Sequence, residues 1–149
     1  DLVITELTIR PTGGDSEWFE IYNQHGASIN LNGLGIENCA GKVVQFADDL
    51  IIGAGELVVL GRGSAQSWQH ADVVPDGFIG TDLRLRNRNC HLAITNAAGV
   101  LSETYEWDKA ELGVSMELEH GRDEGDMDSW FASEQPMAQS NEYGTPGVW

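Results

Sequence analysis

Most of the signals that mark an enzyme, a membrane protein or a helical rod are missing from this sequence. Its two cysteines do not form a Cys-x-x-Cys pair, so a zinc site is not expected. Its four histidines, His25, His70, His91 and His120, are scattered and show no His-Glu-x-x-His spacing. A Gly-x-Ser-x-Gly nucleophile elbow does not occur. Gly61-Arg62-Gly63 is not followed by the further glycine and helix that a dinucleotide loop requires. No stretch approaches the roughly 18 apolar residues of a membrane-spanning helix, and rod-forming heptads are lacking. Positive charge is scarce: 8 basic residues stand against 24 acidic ones, a formal net charge of -16. Such a field repels nucleic acid and anionic lipid, so neither is an expected partner. The chain opens Asp1-Leu2-Val3-Ile4 with no basic n-region or cleavage pattern. A processed protein, or a piece of a longer one, is the expectation.

What is present is a succession of short β-type runs. The 149 residues fit one domain spanning 1–149, long enough to bury its own core. Eighteen glycines and only four prolines suit many turns between ordered strands. Helical periodicity is nearly absent. Leu2 to Ile9 is the first run, closed by Pro11 and the turn at Gly13-Gly14-Asp15. Trp18 to Asn23 puts Trp18, Glu20 and Tyr22 on one face and Phe19 and Ile21 on the other, so both faces should be covered. Ile29 to Ile36 follows, with Gly33 and Gly35 permitting a bend. Further runs lie at Val43–Phe46, Leu50–Ile52, Leu57–Leu60, Leu83–Leu85, Cys90–Ile94, Val100–Trp107 and Val114–Leu118. Asn96-Ala97-Ala98-Gly99 reads as a hairpin turn, and residues 61–82 are less regular. Ten runs at intervals near ten residues predict an all-β protein, a sandwich or barrel.

Several segments, taken in order, resemble the lamin tail domain family. They are Val3-Ile4-Thr5-Glu6, Glu17-Trp18-Phe19-Glu20-Ile21-Tyr22-Asn23, Ile29-Asn30-Leu31-Asn32-Gly33-Leu34, and Gly53-Ala54-Gly55-Glu56 before Leu57-Val58-Val59-Leu60. Gly113-Val114-Ser115-Met116-Glu117-Leu118, Trp130 and the closing Gly144-Thr145-Pro146-Gly147 complete the set. The resemblance implies an immunoglobulin-like antiparallel β-sandwich of about nine to ten strands, without catalytic residues, acting as a binding or structural module. The bacterial extracellular type is the closer likeness. There are departures: the Gly53-Ala54-Gly55 turn lacks the family's proline, and Phe131 stands where bacterial members often carry a cysteine. A disulfide through that position therefore cannot be carried over. A true antibody-type domain is set aside, because Trp68 lies in the irregular stretch and Arg88 occupies the tyrosine position two residues before the second cysteine.

The remaining candidates each carry a plainer alternative. Cys39 and Cys90 suit one disulfide in an exported chain, or two buried thiols in an intracellular one. Secretion or a cell-surface location is the expectation. Glu20 and Asn23 are expected to satisfy backbone groups at the strand end and the following turn. Arg84, Arg86 and Arg88 project to one side of an extended segment whose Leu83 and Leu85 face the core. They are candidates for an anionic ligand, an acidic partner or internal carboxylates. Asp123, Asp126 and Asp128, with Glu124, crowd one loop and are calcium candidates, although the spacing is not that of an EF-hand. Residues 103–142 hold 12 acids against Lys109 and Arg122, about -10 by counting. Trp68 is the candidate surface tryptophan. A non-catalytic module facing a protein or cell-surface polymer is the leading reading. Calcium-assisted adhesion or carbohydrate binding is the alternative, and a hydrolase using scattered acids is the third.

Overall fold

The computed structural model describes residues 1–13, 16–96, 101–122 and 126–149, with side chains left aside at 101–103. Twelve strands are present among them: β1 (Leu2–Thr8), β2 (Trp18–Asn23), β3 (Ile29–Asn30), β4 (Gly35–Asn38), β5 (Val43–Gln45) and β6 (Ile51–Ile52). There follow β7 (Leu57–Gly61), β8 (Gly77–Phe78), β9 (Arg88–Thr95), β10 (Leu101–Lys109), β11 (Met116–Leu118) and β12 (Trp130–Ala132). A six-stranded sheet runs β12-β11-β1-β2-β7-β8, and a four-stranded sheet runs β10-β9-β4-β5. β3 and β6 form a small third ladder.

The two main sheets bury a shared apolar core. Phe19 and Ile21 of β2 and Leu60 of β7 meet Ile36, Leu92 and Ile94 from the opposite sheet. Each of these side chains is at most 1 % exposed. This is the expected immunoglobulin-like sandwich, since a period-2 apolar face has to be covered by a second apolar face. Tyr105, Trp107 and Trp130 fill the core toward one edge, with the Tyr105 and Trp130 rings 4.0 Å apart.

Twelve strands exceed the nine or ten expected, for local reasons. The bend at Gly33, which takes a φ of 85°, splits the Ile29–Ile36 run into β3 and β4. β8 and β12 are two and three residues long, too short to announce a period. Leu83–Leu85 adds no strand; it is extended but makes no ladder. The six-stranded sheet is antiparallel throughout except that β8 pairs parallel to β7. Most of the expected Asn96–Gly99 turn lies outside the described residues.

The strand β2 is covered on both faces, as its aromatic pattern requires. Trp18, on the face away from the main core, is fully buried in a second cluster with Val59 and Val73. Trp68 and Met137 pack against that cluster. The cover comes from the irregular 61–82 stretch and from the segment after β12. That segment is tied to the residues leading into β11 by hydrogen bonds from Tyr143 N to Gly113 O, Ser115 N to Tyr143 O and Ser133 N to Ser115 O, and is pinned on itself by Gly144 N to Gln135 O.

Candidate functional site

The most unusual chemistry lies on the outer face of the six-stranded sheet. β1 is buried along its whole length and contains one carboxyl residue, Glu6. The β1–β2 ladder shifts register between Ile4 and Glu6, and this bulge at Thr5 sets Glu6 opposite Glu20. The β1–β11 ladder sets Glu117 opposite Glu6 on its other side. Three carboxyl groups therefore stand in one row across three strands. Like charges in neighbouring strands repel, so the row persists only where the groups are neutralised or hydrogen-bonded.

Glu6 and Glu20 meet these conditions, whereas the buried Glu117 Oε1 has no hydrogen-bond partner among the described residues. Glu6 Oε1 accepts from Ser115 Oγ at 2.6 Å and from Thr145 N at 2.8 Å. Glu20 Oε1 accepts from Thr5 Oγ1 at 2.7 Å, and its Oε2 accepts from Gly147 N at 2.5 Å. Burial pushes the Glu6 carboxyl up to about 8, against the partial relief its donors give, and the neighbouring Glu20 and Glu117 add to the rise. Burial raises Glu20 as well, opposed by Thr5 and the Gly147 amide. The segment Gly144–Gly147 is thus clamped by two buried acids. Gly144 makes room for this approach: a Cβ there would lie 2.4 Å from Met137 Cε, 2.8 Å from Glu6 Oε1 and 3.1 Å from Ser115 Oγ. The two most recognisable segments of the sequence, around Trp18–Asn23 and at Gly144–Gly147, are in direct contact.

A second strut fastens the same segment. His70 Nε2 bonds Glu142 Oε2, with both side chains almost wholly buried. His70 Nδ1 accepts from the amides of Asp72 and Val73 at 3.2 and 3.3 Å. Because Nδ1 accepts, the proton belongs on Nε2, and the ring is the neutral tautomer donating to the carboxylate. Glu142 Oε1 accepts from Thr12 N at 2.5 Å and Thr12 Oγ1 at 2.8 Å. A histidine–carboxylate pair beside hydroxyls has the composition of a nucleophile-activating group. Here neither ring nitrogen is left to take a proton from a hydroxyl.

The residues singled out in the sequence are distributed over several places. Asn23 does what its position suggests: its side-chain amide donates to the carbonyls of Ala27, Ile52 and Gly53, and its oxygen accepts from His25 N. Glu20 also serves a backbone group, though one 127 residues away. The partner acid that the sequence did not supply for Glu20 is Glu6. The available signal was a single glutamate in an otherwise uncharged buried strand. Cys39 and Cys90 form a disulfide with Cα atoms 4.9 Å apart.

Trp68 is not the free surface ring expected of the irregular stretch. It is half-buried, its Nε1 donates to Val73 O at 3.0 Å, and its ring meets Phe78 edge-on at 6.0 Å. A Cβ on Gly61 would lie 2.8 Å from the Trp68 ring, so Gly61 is what lets the indole lie down on the sheet. Asp126 accepts from Asp128 N and caps the 3-10 turn Met127–Ser129. Asp123 lies outside the described residues. Among the described residues, no three His, Cys, Asp or Glu side chains are grouped to hold a metal ion.

Arg84, Arg86 and Arg88 are exposed, while Leu83 and Leu85 are 1 % and 4 % exposed, the alternation the sequence predicted. Side chains from elsewhere hold this segment's backbone in place of a ladder. Arg62 donates from Nε to Leu83 O at 2.7 Å and Asn38 to Arg84 O at 2.8 Å. Trp107 donates to Arg86 O at 2.8 Å, and Glu17 accepts from Leu85 N. Arg62 and Glu17 also pair at 3.6 Å. Arg62, in the motif rejected as a dinucleotide loop, is a buried brace.

A family model, the Lamin Tail Domain, matches residues 1–109. The motifs at Gly113–Leu118, Trp130 and Gly144–Gly147 lie beyond that span, yet β11 and β12 continue the sheet that β1 and β2 begin. A search of the curated proteins returns no match. With nearly three quarters of its length matched, and with an immunoglobulin-like sandwich as its fold, the chain belongs to the lamin tail domain family.

Proposed function

We propose that this chain is a non-catalytic binding or structural module, one lamin-tail-like domain over residues 1–149, belonging to an exported bacterial protein. It presents its surface to another protein or to a cell-surface polymer. One observation carries the reading: the groups best suited to acid–base chemistry are spent on the chain itself. Glu6 and Glu20 are at most 1 % exposed and hydrogen-bonded to the clamped segment. His70 has both nitrogens engaged. A general acid or base must reach a substrate proton, and these do not. The Cys39–Cys90 bridge supports an oxidising compartment.

Labelled protein applied to intact cells of the producing bacterium tests the binding role. Saturable binding that unlabelled protein displaces is expected; binding no greater than that of an unrelated acidic protein contradicts the reading. Thiol counting under denaturing conditions, on protein isolated without reductant, tests export. No reactive thiol is expected, and two would contradict an exported origin.

A further inference from the structure

Most of the positive charge on this molecule is gathered in one region, where Glu111 also stands beside Arg10 and Lys109. Of its 8 basic residues, five are exposed and stand together: Arg10, Arg84, Arg86, Arg88 and Lys109. The β9–β10 register sets Arg88 opposite Lys109, Ala110 N donates to Asn87 O, and Gly113 N donates to Arg10 O. Among the described residues none of the five side chains forms an ion pair. Concentrating cations in a protein of charge -16 without internal partners leaves them available to an external anion. Hydrogen bonds from Arg62, Asn38 and Trp107 fix the backbone of this segment, so on binding the ordering cost falls on the arginine side chains alone.

The opposite end carries the complement. The β2–β7 ladder runs from Trp18–Gly61, beside the Glu17–Arg62 brace of the arginine row, to Tyr22–Leu57. Over the Tyr22–Leu57 end opens a groove of about 740 Å³. Glu56, Asp72 and Asp76 line it, each also accepting one backbone amide, from Gly53, Gln139 and Val59 respectively, and no lysine or arginine is among the described lining residues. Tyr22 and Trp149 form its aromatic wall with ring centroids 4.6 Å apart, and His120 lies against Trp149 at 4.5 Å. Carboxylates beside aromatic faces are the surroundings a guanidinium prefers, since it can pair with the first and stack on the second. Arg84 and Arg86, two residues apart, would stand about 6–7 Å apart in extended backbone, while the chain bends at Asn87 before Arg88.

We infer that the arginine row of one molecule docks in the acidic aromatic groove of a second copy, giving a head-to-tail association. This rests on the reading of the chain as a surface-presenting module and names one partner for that surface. The contact is heterologous: each molecule offers a different patch, so the association can propagate in place of closing as a two-fold dimer. It also has an unusual salt dependence. At about 0.01 M salt the Debye length is near 30 Å, and the net charges of two copies repel across the whole molecule. At about 0.15 M it is near 8 Å, which removes the long-range repulsion while the contacting pairs still attract. At about 1 M the contacts themselves are screened.

Sedimentation velocity of the 149-residue chain, from about 10 µM to about 1 mM, reads this directly. The weight-average sedimentation coefficient should rise with concentration at 0.15 M salt. The association should be about tenfold weaker or more at both 0.01 M and 1 M. Arg84→Glu with Arg86→Glu, at exposed positions with no side-chain partners among the described residues, should abolish it. So should Glu56→Lys with Trp149→Ala. Mixing the two double variants should restore a heterodimer that grows no further, because each retains the patch the other lacks. A protein that stays monomeric at every salt concentration overturns the inference, as does association that survives the arginine reversals. If the groove variant does not fold, the arginine variant and the salt series still decide. Binding to cells without self-association would remove this inference and leave the proposed function standing.

Discussion

The two faces of the six-stranded sheet are built on different principles. The inner face, with Ile4, Phe19, Ile21 and Leu60, is apolar and meets a second apolar sheet. The outer face carries Glu6, Glu20 and Trp18 under a cover that has no regular structure. On the inner face, area removed from water supplies the stabilisation, and many residues of similar volume would serve. On the outer face the cover is held by address, Thr145 and Gly147 at the two acids, Thr12 and His70 at Glu142, while Thr8 Oγ1, Trp18 Nε1 and Glu117 Oε1 have no partner among the described residues. The lesson is that carboxyl groups in a sheet need not mark a reacting centre. Here they secure a loop across a surface that would otherwise stay wet.

Four substitutions sharpen the contrast. Phe19→Ala on the inner face leaves a cavity in a close-packed core and should cost about 3–5 kcal/mol, read by denaturant melts at any pH. Glu6→Gln should act in a pH-dependent way. The Glu6 carboxyl is raised from 4.5 to about 8 in the folded protein. Its neutral form is therefore the stabilising one: full stability is present below 4.5 and is lost as pH climbs through about 8. The amide keeps an acceptor for Ser115 and Thr145 and cannot ionise. Wild type and variant should match near pH 4.5, and the variant should be more stable above pH 8 by about 2–4 kcal/mol. Melts that stay parallel across that range would show that Glu6 does not titrate late.

Gly144→Val should cost about 1–3 kcal/mol by forcing side-chain atoms against Glu6 and Ser115. Its signature is local: limited proteolysis should cut after β12 while the core amides stay protected from exchange. Ser115→Ala is the mildest, about 1 kcal/mol, because one donor to Glu6 is lost and Thr145 N remains. It should also move the Glu6 midpoint further up, since the Ser115 bond favours the charged form.

The inner face was legible because alternation is a local signal. Phe19 and Ile21 declare their side of β2 within the strand itself. Asn23 was legible for the same reason, since a turn asparagine caps carbonyls near it in sequence. The clamp was not. Glu6 meets Thr145 across 139 residues, and His70 meets Glu142 across 72. The Thr5 bulge that aligns Glu6 with Glu20 leaves no mark on the alternation. Trp68 misled because an irregular stretch suggests exposure, whereas Gly61 clears the space for its ring on the sheet. The motif Gly144–Gly147 was visible as a pattern, but its reason, the approach of a backbone to a buried acid, exists only once the ends are brought together.

The ionisation of Glu6 reports most directly on whether the outer-face carboxyls are sealed structural groups. Selective carbon-13 labelling of glutamate, with the Glu6 carboxyl resonance assigned through Glu6→Gln, would give its midpoint by NMR. A midpoint near 8, following the burial that raises it, is expected. A midpoint near the ordinary 4.5 would mean that water reaches the group in the folded protein, and the clamped, closed face would be wrong.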